Sequence, residues 1–257
     1  MNTLVIPVKE IARQAGEIIR HIYENTTTIS YKRKDDNSPL TLADRAANAF
    51  IVQELSRLEK QYPIISEEST LPPYSERKKY KTFWMVDPLD GTKEFIKRNG
   101  EFTVNIALID KRHSVLGVVY APALDEMYWG VKGEGAYAHK NGEVKRLTAK
   151  DFSITQENLR VVCSRSHLND ATRKELNSLK DPILKPIGSS LKFMLLASGE
   201  ADYYPRMGPT MEWDIAASQI ILEEAGGSII SEYTHKPVIY NKENLRNPHF
   251  KAYGRMV

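Results

Sequence analysis

Apolar residues recur at three- and four-residue spacing at two places near the start of the chain. In the first, over residues 5–23, the stripe consists of Val8, Ile11, Ala12, Ala15, Ile18, Ile19 and Ile22. This spacing is typical of an amphipathic helix that packs one face on a core. The second stripe consists of Leu42, Ala46, Phe50, Leu55 and Leu58. It predicts another helix with Thr41 as its N-cap and Asp44 three residues later, preceded by a polar loop over residues 31–39.

Strand patterns fill the middle of the chain. Ile64-Ile65 predicts a short strand, and residues 71–81, with two prolines and many charges, predict a mobile loop. Further strands are predicted from apolar runs or period-two alternation at residues 83–86, 102–108, 115–120 and 126–129.

The rest of the chain mixes both kinds of element. Residues 161–163 predict a strand, and residues 191–198 and 215–225 predict helices that end at glycines. Helices, then meandering strands, then mixed elements predict a layered α/β fold rather than strict βαβ alternation. The length of 257 residues suits one large domain or two closely packed lobes.

Composition is that of an ordinary globular protein, with 41% hydrophobic and 27% charged residues. No stretch approaches the roughly 18 consecutive apolar residues of a membrane-spanning helix. The first residues lack the pattern of a secretion signal. Cys163 is the only cysteine, which excludes an intrachain disulfide and fits a reducing compartment. We therefore expect a cytoplasmic protein without a transmembrane segment.

The charge balance is mildly basic, with a net charge of +3 and an isoelectric point of about 8.7. This balance is compatible with an anionic substrate and too weak to predict a nucleic-acid binder. The densest basic run, residues 77–81, is expected to form a solvated surface. The oligomeric state stays open.

Acidic residues stand at the ends of several predicted elements, namely Asp44, Glu67, Glu68, Asp87, Asp90 and Asp214. Pro88 keeps the residue before it extended and favours a tight turn, so Asp87 and Asp90 are expected to point into one space. Two carboxylates this close repel each other unless a cation lies between them. Because the nearby donors are oxygens, Mg²⁺ is the expected ion. Gly91 would let backbone approach a ligand, and a helix starting after Thr92 would favour a phosphate oxygen.

Each of these acids also has an ordinary structural interpretation. Asp-Pro and Asp-Gly are common turn dipeptides. Asp214 could cap a helix, Asp44 could belong to a capping box, and Glu67-Glu68 could be a solvated strand end. Each interpretation is preferable when its residue is taken alone. Several acids at element ends, two of them in one hexapeptide, together favour a metal site.

The acidic strings resemble the signatures of a known family. Ser66-Glu67-Glu68, Asp87-Pro88-Leu89-Asp90-Gly91-Thr92 and Trp213-Asp214-Ile215-Ala216-Ala217 resemble, in order, the three signatures of the inositol monophosphatase superfamily. Strings that begin at Gly91, Glu101, Ser164, Gly188 and Tyr204 resemble those of its CysQ-type 3'(2'),5'-bisphosphate nucleotidases. The resemblance covers nearly the whole chain.

The resemblance implies a layered αβαβα sandwich of the inositol monophosphatase and fructose-1,6-bisphosphatase type. It implies one domain over residues 1–257, with a metal-binding lobe over about 1–135 and a substrate-specificity lobe over about 136–257. The implied activity is Mg²⁺-dependent hydrolysis of the 3'-phosphate of adenosine 3',5'-bisphosphate, in support of sulfur assimilation. A second candidate substrate is 3'-phosphoadenylyl sulfate, and inhibition by Li⁺ is implied as well.

The resemblance also implies the roles of the acids. Glu67, Asp87 and the carbonyl of Leu89 would hold a first Mg²⁺. Asp87 would bridge to a second ion that Asp90 and Asp214 complete, and a third ion near Glu67 stays open. Thr92, hydrogen-bonded to Asp44, would take a proton from the attacking water, because a threonine hydroxyl needs a carboxylate partner for that role. Asp44, Thr92 and Glu67 would thus be the catalytic residues.

Substrate contacts are implied at two sets of positions. The set shared with the metal site consists of Glu67, Leu89, Asp90, Gly91, Thr92 and Asp214. In the other set, Ser189, Lys192 and Arg206 would hold the nucleotide's second phosphate or ribose, although the lysine and the arginine could be ordinary surface charges. His167 would contact the nucleoside, or it would be a loop histidine without a ligand.

The sequence leaves other functions open. Inositol monophosphatase or fructose-1,6-bisphosphatase activity is the nearest alternative, and the strings at Ser164 and Gly188 argue against both. A non-catalytic anion or nucleic-acid binder is the alternative from another class, and it predicts a steep salt dependence of binding. CysQ-type relatives can associate with the cytoplasmic face of the inner membrane, but no amphipathic anchor here demands it.

Overall fold

Helices and sheets alternate in five layers. The structure, a computed structural model, describes residues 2–26, 29–33, 39–165 and 169–257. Within these ranges a seven-stranded and a five-stranded sheet are separated by one layer of helices and covered on their outer faces by others. The layer order is αβαβα, as the resemblance implies. No helix in the described ranges has both the length and the apolar character needed to cross a bilayer.

The first layer consists of α1 (Asn2–Asn25) and α2 (Leu42–Ser56), which pack against each other and on the larger sheet. The stripe predicted for α1 is confirmed, since its fully buried members are Val8, Ala12, Ala15 and Ile19. The stripe predicted for α2 is confirmed at Leu55, and Phe50 and Leu58 pack partly buried on the same core. Its first half is wrong by one position, because the fully buried apolar residues there are Ala43, Ala47 and Ile51. The N-cap at Thr41 fixes the phase of this helix and turns Leu42, 68% exposed, toward solvent.

The larger sheet is antiparallel except at one edge, where β3 runs parallel to β4. In spatial order its strands are β3 (Ile64–Ser66), β4 (Thr82–Asp90), β5 (Thr103–Asp110), β6 (His113–Ala121), β7 (Glu126–Val131), β8 (Gly135–Lys140) and β9 (Glu143–Arg146). The short helix α4 (Thr92–Ile96) follows β4. This sheet continues to Arg146, beyond the predicted lobe boundary near residue 135. The division into two lobes stays a prediction.

The central layer consists of α6 (Leu191–Ala197) and α7 (Glu212–Glu224). Two glycines of the larger sheet allow α7 to lie close to it. A Cβ at Gly117 would lie 2.2 Å from the carbonyl oxygen of Ala217, and one at Gly130 would lie 2.9 Å from the Cα of Ile221. Since real Cβ atoms do not approach this closely, the glycines fix the depth of α7 and with it the position of the helix N-terminus.

The smaller sheet is mixed, with four strands that run in one direction and one strand, the fourth in spatial order, that runs antiparallel to both of its neighbours. In spatial order its strands are β12 (Ile183–Ile187), β11 (Arg160–Ser164), β13 (Tyr203–Arg206), β15 (Phe250–Tyr253) and β14 (Ser228–Ser231). The outer helix α5 (Asp170–Asn177) packs on β13. A separate two-stranded ladder joins β10 (Asp151–Phe152) to β16 (Arg255–Met256).

Two loop predictions are wrong in part. Part of the polar segment 31–39 forms a short ladder, in which β1 (Tyr31–Arg33) pairs with β2 (Pro39–Thr41). Within residues 71–81 the chain forms the helical turn α3 (Tyr74–Arg77). The guanidinium of Arg77 is buried and donates to the side chain of Asn241 at 2.9 Å and to the carbonyl of Lys242 at 2.5 Å. The solvated-surface prediction for the basic run is therefore wrong at Arg77, because a distant segment binds its guanidinium.

Candidate active site

The hexapeptide that begins at Asp87 extends a strand instead of forming a tight turn. β4 continues through Asp90, and its pairing with β5 shifts register between Asp87 and Asp90. Residues three apart on a regular strand point to opposite faces, but an extra residue in one strand re-aims the side chains that follow. Both carboxylates consequently face one cleft, although the predicted turn is wrong. The chain turns only at Gly91, whose φ of 96° suits glycine.

Three carboxylates converge beside this strand end. One oxygen from each of Glu67, Asp87 and Asp214 lies within 4.8 Å of the other two. Burial raises the pKa of Asp87 well above its usual range, and the negative charges of Glu67, Asp90 and Asp214 raise it further. Burial and the charge of Asp90 raise the pKa of Asp214 in the same direction. A divalent cation among the three would remove this repulsion, and an all-oxygen donor set suits a hard ion such as Mg²⁺.

Local hydrogen bonds hold Glu67 and Asp214, the two members of the trio that lie outside β4. The backbone N–H of Glu67 donates to the carbonyl of Val86 at 3.1 Å, which fixes the chain just after β3 against β4. Asp214 lies in the first turn of α7 and accepts a hydrogen bond from the N–H of Met211 at 2.9 Å. The helix-capping interpretation of Asp214 is therefore correct only in part, because the N-cap is Met211 and Asp214 is the third residue of the helix. The same residue also belongs to the acidic trio. One carboxylate oxygen serves the cap while the side chain faces the cleft.

Asp90 and Leu89 lie next to the trio. Asp90 is held through Oδ2, which accepts from the Ser190 hydroxyl at 2.9 Å and from the Asn105 amide at 3.4 Å. Burial raises the pKa of Asp90, while the charge of Lys192 opposes that shift. The carbonyl of Leu89 lies 3.3 Å from the Thr92 hydroxyl, at the border of the acidic cluster.

A hydroxyl and a carboxylate pair across the first half of the chain. The Thr92 hydroxyl donates to Oδ1 of Asp44 at 3.1 Å. The other oxygen of Asp44 accepts from the backbone N–H and the hydroxyl of Thr41, at 2.7 and 2.5 Å. Asp44 is therefore both a capping-box residue and the partner of Thr92. The expected helix is present as well, since α4 begins at Thr92.

The acids form one wall of a cleft of about 250 Å³. The predicted site residues that line it are Glu67, Asp87, Leu89, Asp90, Gly91, Thr92, Ser189, Lys192, Arg206 and Asp214. Asp44 lies behind this wall through its bond to Thr92. The predicted contact at His167 lies outside the described residues. Side chains from both halves of the sequence thus meet at one opening.

The rest of the cleft lining includes cationic side chains, and we call this part the cationic wall. Lys192 is only 7% exposed, donates to the carbonyl of Ser189 at 2.5 Å and lies 5.6 Å from the ring centre of Tyr204. Burial lowers the pKa of Lys192 to about 8, with the charge of Asp90 opposing and that of Arg206 adding to the shift. The surface-charge interpretation of Lys192 is therefore wrong. Within the described residues, the buried Ser189 hydroxyl and Arg206 Nε have no hydrogen-bond partner, so an anion in the cleft would give them one.

Several residues at the cleft were not singled out from the sequence. They include Glu94, Phe193, Tyr204 and Phe250 among the lining, and Asn105 and Ser190 behind Asp90. Periodicity marks most of these positions as core or helix. Phe250 reaches the cleft from β15 near the end of the chain, and the local sequence pattern does not predict such a contact.

Comparison with known proteins agrees with this geometry. A model of the inositol monophosphatase family matches residues 2–253. The chain is 44% identical over 246 residues to the 3'(2'),5'-bisphosphate nucleotidase CysQ of Salmonella typhimurium. The matched region covers 95% of this chain and 97% of the relative. It is 39% identical to the crystal structure of CysQ from Bacteroides thetaiotaomicron, with a TM-score of 0.86 and coverage of 98% and 97% of the two chains. An inositol monophosphatase from Thermotoga maritima, 24% identical over 99% of this chain and 93% of its own, shares the fold with a TM-score of 0.78.

The chain belongs to the inositol monophosphatase family. Within that family, its similarity to 3'(2'),5'-bisphosphate nucleotidases of the CysQ type extends over nearly its whole length. The family resemblance and the αβαβα fold inferred from the acidic strings are thereby confirmed.

Proposed function

We propose that this chain is a Mg²⁺-dependent 3'(2'),5'-bisphosphate nucleotidase that hydrolyses adenosine 3',5'-bisphosphate to AMP and phosphate, in support of sulfur assimilation. The observation on which the proposal depends is the convergence of Glu67, Asp87 and Asp214 at a cleft whose other wall is cationic. A phosphomonoester needs charge neutralisation at the attacked phosphate, and a bisphosphate needs a second anion site nearby. The cleft offers both.

Two Mg²⁺ ions are assigned to the acidic wall. Glu67, Asp87 and the carbonyl of Leu89 would hold the first, while Asp87, Asp90 and Asp214 would hold the second. Bound ions would neutralise charge on the phosphate and make water a stronger nucleophile. The buried, mutually repelling carboxylates fit this assignment. Their negative charges are unfavourable without a cation, and a bound cation would stabilise the ionised forms.

The chain's own groups would move the proton. Water attacks phosphorus, the bond from phosphorus to the 3'-oxygen breaks, and the leaving oxygen takes up a proton from solvent water. Because the Thr92 hydroxyl donates to Asp44, its lone pairs can accept a proton from the attacking water while its own proton passes to the carboxylate. The two bonds from Thr41 hold Asp44 in place for this transfer.

The cationic wall would select the substrate. Arg206 can bind a phosphate with two parallel hydrogen bonds, and Ser189 can add a third. Lys192 is fixed by its bond to the Ser189 carbonyl, so its charge stays at the cleft. These three residues would contact the 5'-phosphate or the ribose while the 3'-phosphate lies at the acids.

A phosphate-release panel tests the proposal. At saturating Mg²⁺ we expect kcat/KM for adenosine 3',5'-bisphosphate to exceed that for inositol 1-phosphate and fructose 1,6-bisphosphate by about 100-fold or more, since an unmatched charged contact costs a few kcal/mol. Release from 3'-phosphoadenylyl sulfate is expected as well, and EDTA should abolish all release. A preference for either sugar phosphate would replace the proposed activity with that one. Binding of anions without any release would favour the non-catalytic alternative.

The cationic wall has its own test. Arg206→Ala should raise KM about tenfold for the bisphosphate and much less for adenosine 3'-monophosphate, because only the bisphosphate loses a charge-assisted contact. Arg57→Ala is the matched control, since Arg57 is exposed and, among the residues that the structure describes, pairs with neighbours on its own helix. Equal effects of Arg206→Ala on both substrates would remove Arg206 from substrate selection.

A cytoplasmic location stays part of the proposal. The amphipathic helix α1 uses its apolar face in the core, where Val8, Ala12 and Ala15 are fully buried. That face is therefore not available to a membrane surface, and peripheral attachment has no support from the described residues.

A further inference from the structure

Ser190 occupies the N-cap position of α6 but does not cap the helix. Its backbone is helical, with φ −67° and ψ −9°, and its side chain makes no capping hydrogen bond. A serine in this position ordinarily accepts from an N–H of the first turn. The side chain is fully buried, so water does not solvate the hydroxyl. Its orientation must be explained by other partners.

Those partners belong to the acidic wall. The Ser190 hydroxyl lies 2.9 Å from Oδ2 of Asp90 and 3.0 Å from the backbone carbonyl of Asp214. It also accepts a hydrogen bond from the Asn105 amide at 2.9 Å. One hydroxyl therefore links the end of β4 with the first turn of α7. These are the two elements that supply the second proposed ion with Asp90 and Asp214.

The amide of Asn105 has a defined orientation. Its oxygen accepts from the Thr103 hydroxyl at 3.0 Å, so its nitrogen must face Ser190 and Asp90. Asn105 is buried, which leaves no solvent to reorient it. Both donors to Asp90, the hydroxyl and the amide, reach the same oxygen, Oδ2. The arrangement leaves Oδ1 for a cation.

We infer that Ser190 is a positioning residue which, with Asn105, sets Asp90 relative to Asp214 and thereby strengthens divalent-cation binding. This inference rests on the proposed function, because it assigns both carboxylates to an ion. Mg²⁺ requires near-octahedral oxygen ligands at about 2.0–2.1 Å, so a carboxylate that rotates freely is a poorer ligand. Groups that hold metal ligands typically contribute about 10- to 100-fold to metal affinity or activity.

The direct test is calorimetric titration of Mg²⁺ into the substrate-free protein. Ser190→Ala should weaken Mg²⁺ binding about tenfold or more. Ser190→Cys, which has similar volume but a weaker donor, should give an intermediate loss. Ser218→Ala is the matched control, because Ser218 is equally buried on α7 and its hydroxyl has no partner within the described residues. It should bind Mg²⁺ within about twofold of the wild type.

Kinetics separate positioning from general damage. In Ser190→Ala the Mg²⁺ concentration for half-maximal activity should rise by the same factor, while KM for adenosine 3',5'-bisphosphate at saturating Mg²⁺ changes less than about twofold. Wild-type Mg²⁺ affinity in Ser190→Ala would overturn the inference, as would an equal loss in Ser218→Ala. If Ser190→Ala does not fold, the same comparison with Ser190→Cys decides. A wild-type protein that binds Mg²⁺ but releases no phosphate would refute the proposed function and leave the calorimetric result to judge Ser190.

Discussion

At the scale of single residues, the cleft is lined by buried acids and by a buried lysine. Burial raises the pKa of Asp87 and lowers that of Lys192 to about 8. Burial thus disfavours the charged form of each group when no ligand is bound. A cation beside the acids and a phosphate beside the lysine would each favour the charged forms. The two walls therefore fit a ligand with one phosphate beside the metal ions and an additional phosphate beside the lysine.

The pKa of Lys192 predicts a pH dependence. A lysine is positive below its pKa, so the charge of Lys192 is present at pH 7 and lost as the pH rises through about 8. At fixed saturating Mg²⁺, kcat/KM for the bisphosphate should fall about tenfold from pH 7 to pH 9, because kcat/KM reports groups of the free enzyme. Lys192→Arg stays charged over this range and should flatten the profile. An unchanged decline in Lys192→Arg would assign the pH dependence to another group.

Removing one acid separates catalysis from folding. Asp87→Asn should lower kcat by about 100-fold or more. Loss of a residue that only holds a metal ligand in place costs about 10- to 100-fold, and loss of the ligand itself should cost more. In EDTA its melting temperature should equal or exceed that of the wild type, because one repelling charge is gone. Mg²⁺ should raise the melting temperature of the wild type but not of the variant. Glu157→Gln, an exposed acid, is the control, and retained turnover in Asp87→Asn would contradict the metal assignment.

Most of the acidic wall was predictable from sequence, and most of its supports were not. Asp87 and Asp90 stand together in one hexapeptide, and Asp214 lies in a string with its own signature. Asn105 and Ser190 lie within strings that resemble the CysQ type, but nothing in those strings indicates that the two residues support Asp90. Their role depends on contacts between distant segments, and local patterns do not encode such contacts.

At the scale of elements, the depth at which α7 packs places Asp214 in the cleft. Gly117 and Gly130 lie under this helix, where any side chain would collide with its backbone. The helix was predictable from its apolar pattern, but the close approach was not, because glycine in a strand has several explanations. The N-cap of α2 at Thr41 was predicted correctly, but the buried face in the first half of the helix was predicted one position out.

Gly117→Ala tests the close packing of α7. The new Cβ would lie 2.2 Å from the Ala217 carbonyl, so the helix must shift. We expect the free energy of unfolding to fall by about 1–3 kcal/mol, as for other overpacked cores, together with weaker Mg²⁺ binding. Gly208→Ala is the stability control, because its Cβ would meet neighbours no closer than 3.7 Å. Chemical denaturation and calorimetry measure both effects, and unchanged stability in Gly117→Ala would show that α7 can move at little cost.

At the scale of the whole molecule, early and late parts of the chain are joined at the cleft and at Arg77. The guanidinium of Arg77 binds the segment from Asn241 to Glu243, and the amide of Asn241 donates back to the carbonyl of Arg77 at 2.6 Å. The layered architecture was predictable from the order of elements. This link was not, because a basic run resembles a solvated surface in sequence.

Arg77→Ala should destabilise the protein without removing its chemistry. One buried and two partly buried acceptors lose their donor, so the free energy of unfolding should fall by roughly 3 kcal/mol while kcat stays within about twofold. Lys78→Ala is the neighbouring control, since Lys78 is exposed and should have little effect. Denaturant unfolding measures the difference. Equal stability of the two variants would mean that Arg77 does not hold the C-terminal segment.

Anomalous diffraction from crystals soaked in Mn²⁺, a scattering substitute for Mg²⁺, would locate the ions themselves. We expect anomalous peaks within coordination distance of the carboxylates of Glu67, Asp87 and Asp214, with Asp90 oriented toward one of them. Crystals that diffract well but hold no ion among these four side chains, at Mn²⁺ concentrations that support turnover, would contradict this expectation.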